Sequence, residues 1–380
     1  MEKEWKIYNP DGKKRVVVTK ELPGNTWLEV LKNSDCRVEV CQSGEIVDNK
    51  KILSAIGDKC NGVIGQLTEN WNEELFRALK NAGGVVYSNY AVGYDNVNVD
   101  AASKQGIAVG NTPGVLTETT AEMAVALTYA VARRVVEADD FMRHGKYGGW
   151  LPDLFLGNRL WRQTVGVIGA GRIGSAYARM MVQGEHMDLV YYDIYQNRQL
   201  EKDIKAFARF LESHGEEPVK IIRAESIEDV LRAADVLSLH PVLNDKTYHL
   251  ITSKELAMMK ENAILINVSR GAVIDEADLV EHCQNNPDFR AGLDVFEDEP
   301  EMQPGLPDLE NATIVPHIAS ATRWTREGMA VLAASNIAGI LNEYPAWESE
   351  DISPFLGENR PKAAPSIINA QADRVPAYSG

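Results

Sequence analysis

Cysteine is scarce: four in 380 residues (Cys36, Cys41, Cys60 and Cys283), with no CxxC pair and no histidines nearby at metal spacing. That usage argues for reduced, partly buried thiols in a cytosol-like compartment and against a metal site. Missing too is any apolar run near the length of a membrane span. Positive charge is in short supply, with 39 Lys and Arg against 55 Asp and Glu and a formal net charge of −16. Nucleic acid is therefore a poor main partner, because phosphate binding needs clustered cations, and an acidic membrane surface is no better. A small anion is still compatible, since local arginines can reverse the field inside a cleft. The start, MEKEWKIYNPDG, has neither a signal-peptide nor a transit-peptide pattern, and Tyr378, Ser379 and Gly380 do not form a Ser-Lys-Leu address. The expectation is a cytoplasmic enzyme.

What is present is the composition of a soluble globular chain, 44% hydrophobic and 25% charged, long enough for two domains. In the first hundred residues, RVEVC (37–41), GVIGQL (62–67), GGVVYSN (83–89) and GIAVGN (106–111) read as buried strands. Between them ILSAIG (52–57) and NEELFRALKNAG (72–83) carry apolar residues at helical spacing, with Gly83 as a C-cap. Alternation of this kind implies an α/β fold with parallel sheets covered on both faces. LTETTAEMAVALTYAVARRVVEADDFMRHG reads as one long helix, with a capping box at Thr119 and Glu122 and a stop at Gly145. It is too apolar for a one-faced surface helix, which suggests burial between domains or against a second subunit. A second series of strands follows (TVGVIGAG, DLVYYDI, VLSLHPV, AILINVS, FRAGLDVF, NATIVPH), and a polar tail beyond about residue 345 is expected to pack poorly or to drape over the surface.

The strand TVGVI runs into Gly169-Ala170-Gly171-Arg172-Ile173-Gly174 and then a helical SAYARMM. In a dinucleotide turn the first glycine allows the tight bend and the second lets backbone approach the pyrophosphate. The third lets helix pack on strand, with the helix N-terminus facing the phosphates. Asp193 closes the next strand, where a carboxylate accepts from the ribose hydroxyls and repels a 2′-phosphate, favouring NAD over NADP although Arg198 lies close by. Ligands of open α/β sheets bind beyond the carboxyl ends of the strands, and three polar residues stand there: Arg270 after AILINVS, Glu299 after GLDVFED, and His317 after ATIVP. The set suits reduction of a 2-keto acid. Arg holds the carboxylate in a fork, His protonates the oxygen as hydride arrives, and Glu orients the imidazole and raises its pKa. The hydride comes from a nicotinamide, so no metal is expected.

GVIGAGRIG, INVSRGAVID, GLDVFEDEP and VPHIASAT are similar, in this order, to the signatures of the D-isomer-specific 2-hydroxyacid dehydrogenases. With DKCNGVIGQLTENW, NYAVGYDNV, VGNTPGVLTETTAE and GWLPDLF, the chain resembles above all the plant-type hydroxypyruvate-reducing (glycerate dehydrogenase) branch, and the longer 195–225 segment looks like an insertion of that branch. The resemblance implies two Rossmann-like or flavodoxin-like domains, with the nucleotide domain (161–316) inserted in a discontinuous substrate domain (1–120 and 317–345). A helix and loop (121–160) used between domains and for dimerisation, and a tail (346–380), complete it. Implied as catalytic are Arg270, Glu299 and His317. At the cofactor it implies Gly169, Gly171, Arg172, Ile173, Gly174, Asp193, His240, Pro241, Val268, Arg270 and Asp294, the last at the nicotinamide carboxamide. Toward substrate it implies Ala91, Val92 and Gly93, holding the carboxylate together with Arg270, with Trp150, Ser320 and Arg323 as further contacts. The implied activity is NADH-dependent reduction of hydroxypyruvate to D-glycerate, with glyoxylate as a side substrate, in a homodimer. The alternatives are a 3-phosphoglycerate-type dehydrogenase and a nucleotide-sensing protein like the related corepressors. His144, His186, His214, His249 and His282 read as surface or structural.

Overall fold

The computed structural model describes residues 4–370 and divides into two compact units. One is the chain up to Leu116 joined by the chain from Ala321 onward; the other is Thr117–Ser320. The divisions differ from those implied by resemblance. The 121–160 segment belongs to the second unit, and so does His317, whose expected place is at the return to the first.

The first unit is built on six strands: β1 (Trp5–Tyr8), β2 (Lys14–Val18), β3 (Cys36–Cys41), β4 (Gly62–Gly65), β5 (Val86–Asn89) and β6 (Ala108–Gly110). Their order is β1-β3-β2-β4-β5-β6, parallel except for β1, which pairs antiparallel with β3 in the register Trp5 to Cys41. Neither β1 nor β2 is legible in the sequence, because charged residues interrupt WKIY and open KRVVV. On one face the Glu73–Asn81 helix buries Leu75, Phe76 and Leu79 near Trp71 and Tyr87, whose ring centroids are 4.0 Å apart. Asn72 caps its start by accepting the Glu74 and Leu75 N–H groups, and Gly83, at φ +81, ends it in the left-handed conformation glycine takes without strain.

On the other face lies the Arg323–Leu341 helix, buried without a break from Met329 to Gly339. Its Asn336, with no exposed surface, donates to Asn111 O (2.9 Å) and Ser88 Oγ (3.3 Å) and accepts the Ser366 N–H (2.9 Å). The expectation of a poorly packed tail is corrected as far as residue 370. Phe355 and Ala364 are fully buried. Ile368 N–H donates to Val109 O (2.8 Å), and Asn369 accepts the Val109 N–H (2.8 Å) while donating to Ile107 O (2.9 Å). A polar tail packs here because its amides serve the otherwise open edge of β6. Residues 371–380 lie outside the described residues.

The second unit holds seven parallel strands: β7 (Thr164–Ile168), β8 (Asp188–Tyr192), β9 (Ile221–Arg223), β10 (Val236–Leu239), β11 (Ile264–Asn267), β12 (Arg290–Leu293) and β13 (Ala312–Ile314). The order β13-β12-β11-β10-β7-β8-β9 reverses direction between β7 and β10, the place where an open α/β sheet leaves a crevice at its carboxyl ends. Apolar clusters cover both faces. The insertion supplies the Arg198–Ser213 helix and then β9, which extends the sheet beyond β8.

The single long helix read from the sequence is two, Thr117–Ala132 and Val135–Arg143. Ala132 O is taken by the Asn158 N–H (2.7 Å), and Arg134 sits at φ +54, so the helical ladder stops there. The start is Thr117, which puts Thr119 inside the first turn rather than at the cap. The apolar character has a local cause: Ala121, Ala124, Leu127 and Val131 pack on this unit's own sheet, where Gly292 leaves room for Leu127 and Val131.

Replacing Asn336 with Ala strands three buried polar partners at once. Urea denaturation should show a loss of about 2–3 kcal/mol. An unchanged midpoint would mean that these bonds contribute little to the first unit.

Candidate functional site

The glycine turn lies at the sheet's point of reversal. Gly169 follows β7 at φ +90, and a Cβ there would sit 2.6 Å from the His240 carbonyl carbon, so only glycine lets the β7 and β10 ends run this close. Gly174 is equally constrained: its Cβ would meet Gly169 O at 2.1 Å. Above Gly171 there is open space within 4 Å, and the Arg172–Glu185 helix that begins here has no side-chain cap. An uncapped helix N-terminus facing room is a ready seat for a phosphate. These residues fit a dinucleotide pyrophosphate, with Arg172 exposed and Ile173 half-buried beside the core.

Asn197 steadies the turn from the insertion, donating to Ala170 O (2.8 Å) and Ser175 Oγ (2.9 Å). Asp193, just past the end of β8, is half-buried, and its Oδ1 accepts the Tyr195 N–H (2.9 Å). His240 joins Ser238 Oγ through Nε2 (2.8 Å) and lies near the Tyr177 ring, centroids 5.5 Å apart. Desolvation pushes its imidazole down to about 3, so it is neutral at physiological pH. Pro241 follows it, half-buried, and Val268 is buried past the end of β11.

At the carboxyl ends of β11, β12 and β13 the second unit brings the three proposed reacting residues into one neighbourhood. β11 ends on Asn267, whose Oδ1 accepts from Ser269 N–H (3.0 Å) and Ser269 Oγ (2.8 Å) and whose Nδ2 donates to Arg270 O (2.8 Å). That side chain holds the turn which presents Arg270. Gly271 comes next, and a Cβ on it would fall 1.9 Å from the Phe296 carbonyl carbon and 2.3 Å from Glu297 N. The β11 loop and the loop carrying Glu299 are thus in backbone contact, which only a missing side chain permits.

Glu299 Oε1 accepts the Phe296 N–H (3.0 Å), and its Oε2 pairs with His317 Nδ1 at 2.9 Å. The His317 and Glu299 side chains are 27% and 29% exposed, which leaves the pair open to a ligand. Burial works to raise the Glu299 carboxyl. The hydrogen bond and charge of His317, the Phe296 N–H and the Arg270 charge outweigh it, and the carboxyl is held below its ordinary value. With Nδ1 committed to a carboxylate, Nε2 is the ring atom left for exchange with a ligand.

His317 itself sits at φ +51, and its N–H donates to Asp294 O (2.9 Å). Asp294 has no exposed surface; its Oδ1 accepts the Ile318 N–H (2.6 Å) and its Oδ2 the Ala319 N–H (2.8 Å). Asp294 therefore clamps the His317 loop, each carboxylate oxygen accepting one N–H, and this clamp is additional to the carboxamide contact implied by resemblance. Burial raises this carboxyl, with the two N–H donors opposing.

In the first unit the turn after β5 is tied back by all three of its carbonyls. Ala91 O accepts the Thr112 N–H (2.9 Å), Val92 O accepts Asn111 Nδ2 (2.8 Å), and Gly93 O accepts Asn89 Nδ2 (3.0 Å). Carbonyl and N–H of one trans peptide point in opposite directions. Anchoring these carbonyls inward turns the Val92, Gly93 and Tyr94 N–H groups outward, an arrangement suited to an anion. Of the remaining expected contacts, Trp150 stands 80% exposed in the loop after the Val135–Arg143 helix, Ser320 is half-buried at the last position of the second unit, and Arg323 is exposed at the start of its helix in the first. Among the described residues no group of three or more His, Cys, Asp or Glu side chains is placed to hold a metal ion, and no helix is long and apolar enough to cross a membrane.

In the sequence Asn267 is only a polar end to an apolar strand, and Gly271 only part of a motif. Asn89 and Asn111 carry no signal there at all. A glycine directly after a strand-end arginine is the pattern that can mark the close backbone approach.

A nucleotide-binding sheet with an acid–base pair at its strand ends defines a dinucleotide-dependent oxidoreductase. Residues 125–319 match the family model described as "D-isomer specific 2-hydroxyacid dehydrogenase, NAD binding domain". The chain belongs to the D-isomer specific 2-hydroxyacid dehydrogenases and is an NAD-dependent oxidoreductase. It is 61% identical over 374 residues to the peroxisomal glycerate dehydrogenase HPR of Arabidopsis thaliana, covering 97% of each chain. It is 39% identical over 330 residues to the glyoxylate reductase of Thermococcus litoralis, covering 86% of this chain and 93% of that one. Among solved structures, the TT0316 protein of Thermus thermophilus superposes with a TM-score of 0.77 at 34% identity, covering 93% of this chain and 99% of that one.

Gly271→Ala should cost about 3 kcal/mol in chemical denaturation, because a methyl cannot enter backbone contact without parting the two loops. A variant as stable as the parent would show that the loops separate freely.

Proposed function

We propose that this protein reduces hydroxypyruvate to D-glycerate with NADH, and glyoxylate to glycolate as a second activity. The observation that carries the reading is the His317 Nδ1 to Glu299 Oε2 pair, standing at strand ends in the same unit as an open glycine turn. The glycerate dehydrogenase and glyoxylate reductase names of the relatives support the substrate assignment.

Bound NADH supplies a hydride to the keto carbon. His317, charged and held by Glu299 through Nδ1, gives its Nε2 proton to the keto oxygen, and in the reverse direction takes it back. Glu299, ionised, stabilises the imidazolium and fixes its ring. Arg270 binds the substrate carboxylate as a planar fork and polarises the neighbouring carbonyl. The outward N–H groups after β5, from Val92 and Gly93 beside Ala91, are assigned to the same carboxylate. One of Ser320 and Arg323 is assigned to the hydroxymethyl end, and Trp150 to covering the bound substrate.

Gly169, Gly171, Arg172, Ile173 and Gly174 would hold the pyrophosphate, with His240 and Pro241 on the adenine side and Val268 and Arg270 alongside the nicotinamide. Asp193 is assigned to the adenosine ribose, where its carboxylate disfavours a 2′-phosphate and makes NADH the preferred cofactor. The protein is proposed to act as a homodimer. Its four cysteines are free and buried, which suits a reducing compartment, and cytoplasmic placement is part of this reading; the Arabidopsis relative carries the word peroxisomal in its name.

Steady-state assays with hydroxypyruvate, glyoxylate and 3-phosphohydroxypyruvate, each with NADH and NADPH, test the assignment; hydroxypyruvate with NADH should give the highest kcat/KM. Removing the acid by His317→Ala should lower kcat about a thousandfold while NADH still binds, measured by nucleotide fluorescence. Full turnover in that variant would remove His317 from the mechanism. Asp193→Ser should shift the NADH-to-NADPH ratio of kcat/KM about tenfold toward NADPH, and an unmoved ratio would refute the ribose assignment.

A further inference from the structure

The turn after β5 is anchored in a buried polar network that the proposed chemistry does not use. The Asn89 amide that donates to Gly93 O also meets Asn96 Oδ1 (3.1 Å), and Asn89 Oδ1 accepts the Tyr87 hydroxyl (2.9 Å). Asn96 Nδ2 donates in turn to Gln66 O (3.2 Å) and Glu69 O (2.9 Å). The network reaches Glu69 at its backbone carbonyl, and that residue is only 2% exposed. Its Oε2 accepts Trp71 Nε1 (2.9 Å), while its Oε1 is buried with no hydrogen-bond partner. Space is tight as well, since a Cβ on Gly65 would lie 2.6 Å from both Glu69 Oε2 and the Tyr87 oxygen. A charged oxygen in such a place has lost its water without a well-formed hydrogen bond in return, which favours the neutral acid.

We propose that Glu69 is a positioning residue for the substrate carboxylate, neutral when the turn receives the anion and opposing that anion when it ionises. The inference rests on the reading that the Val92 and Gly93 N–H groups bind the carboxylate. Burial drives the Glu69 carboxyl up to about 7, against the Thr19 hydroxyl, the Trp71 indole, the Gln66 backbone and the Lys20 charge. The ionisable groups about it are Lys20, after β2, whose ammonium favours the charged form, and Tyr87 on β5. The latter is itself raised well above its ordinary value, by burial first and by Glu69 second. The change of charge therefore falls in the neutral range, inside the unit that carries the turn. The direction is fixed by sign: the acid is neutral below that point, and above it a negative charge behind the N–H groups weakens their hold on an anion.

The test is the KM for hydroxypyruvate and for D-glycerate across the neutral range, in the wild-type protein and in Glu69→Gln. The acid–base step moves the two KM values in opposite directions, because the keto acid needs the imidazolium and the hydroxy acid the free base. A charge behind the turn raises both. The ratio of wild-type to variant KM should stand near one at about pH 6 and reach about tenfold at about pH 8.5 for both substrates. The KM for NADH should not change. Lys20→Met, which removes the cation favouring ionisation, should move the rise to higher pH, and it serves as the readout if Glu69→Gln folds poorly. A pH-independent ratio, an equal change in kcat and every KM at all pH values, or a Lys20→Met profile superposable on the wild type would each overturn the inference. Turnover of hydroxypyruvate with a flat ratio defeats the inference alone; no turnover of any 2-keto acid by the wild type defeats the functional reading and the inference with it.

Discussion

A carboxylate with no surface of its own, Asp294, governs the reacting end of the second unit. Placed just after β12, it takes the N–H groups of Ile318 and Ala319, while its own carbonyl takes that of His317. Three consecutive amides are thus held by one residue, and the His317 backbone is kept in a left-handed conformation that a histidine seldom adopts unaided. From that backbone the ring meets Glu299. The adjoining constraint is steric: Gly271 brings the Arg270 loop against the Glu299 loop by having nothing to put between them. Hydrogen bonding sets one partner and exclusion the other, and both act within a single folded unit.

A second theme is how a chain of net charge −16 is equipped to bind anions. What it offers them is mainly backbone. The helix start at Arg172 carries no side-chain cap, and the turn after β5 has its carbonyls drawn inward, so in both places N–H groups face out. Burial disfavours charge on an ionisable side chain in each unit: His240 is pushed down to about 3, and Glu69 up to about 7. The acidic surface and the anion-receiving backbone are therefore separate properties of one molecule.

Much of this is legible in the sequence because it is local. The glycine turn, the strand-end Asp193 and the positions of Arg270, Glu299 and His317 all follow from a residue type at the end of an apolar run. The features that escape are long-range or depend on packing. Asn336 bonds Ser88 Oγ, and Asn369 pairs with Val109; each joins segments more than 200 residues apart, with no periodicity to announce it. The helix break at Ala132 depends on Asn158 taking its carbonyl. Thr119 and Glu122 form a genuine capping-box pattern, yet tertiary packing starts the helix at Thr117. Asp294 is visible as a strand-end carboxylate, but its employment as a clamp needs the loop after β13 in place.

The way residues 366–369 line the edge of β6 has a consequence for biogenesis. The first unit's sheet is complete, as a set of strands, once Gly110 has been made, but that edge is finished by amides that emerge from the ribosome about 250 residues later, after the entire second unit. The nucleotide-binding half can assemble while synthesis continues, whereas its companion must wait with an unsatisfied margin until those later residues have been made. A nascent chain of this architecture is thus most exposed to misassociation in the part that was made first.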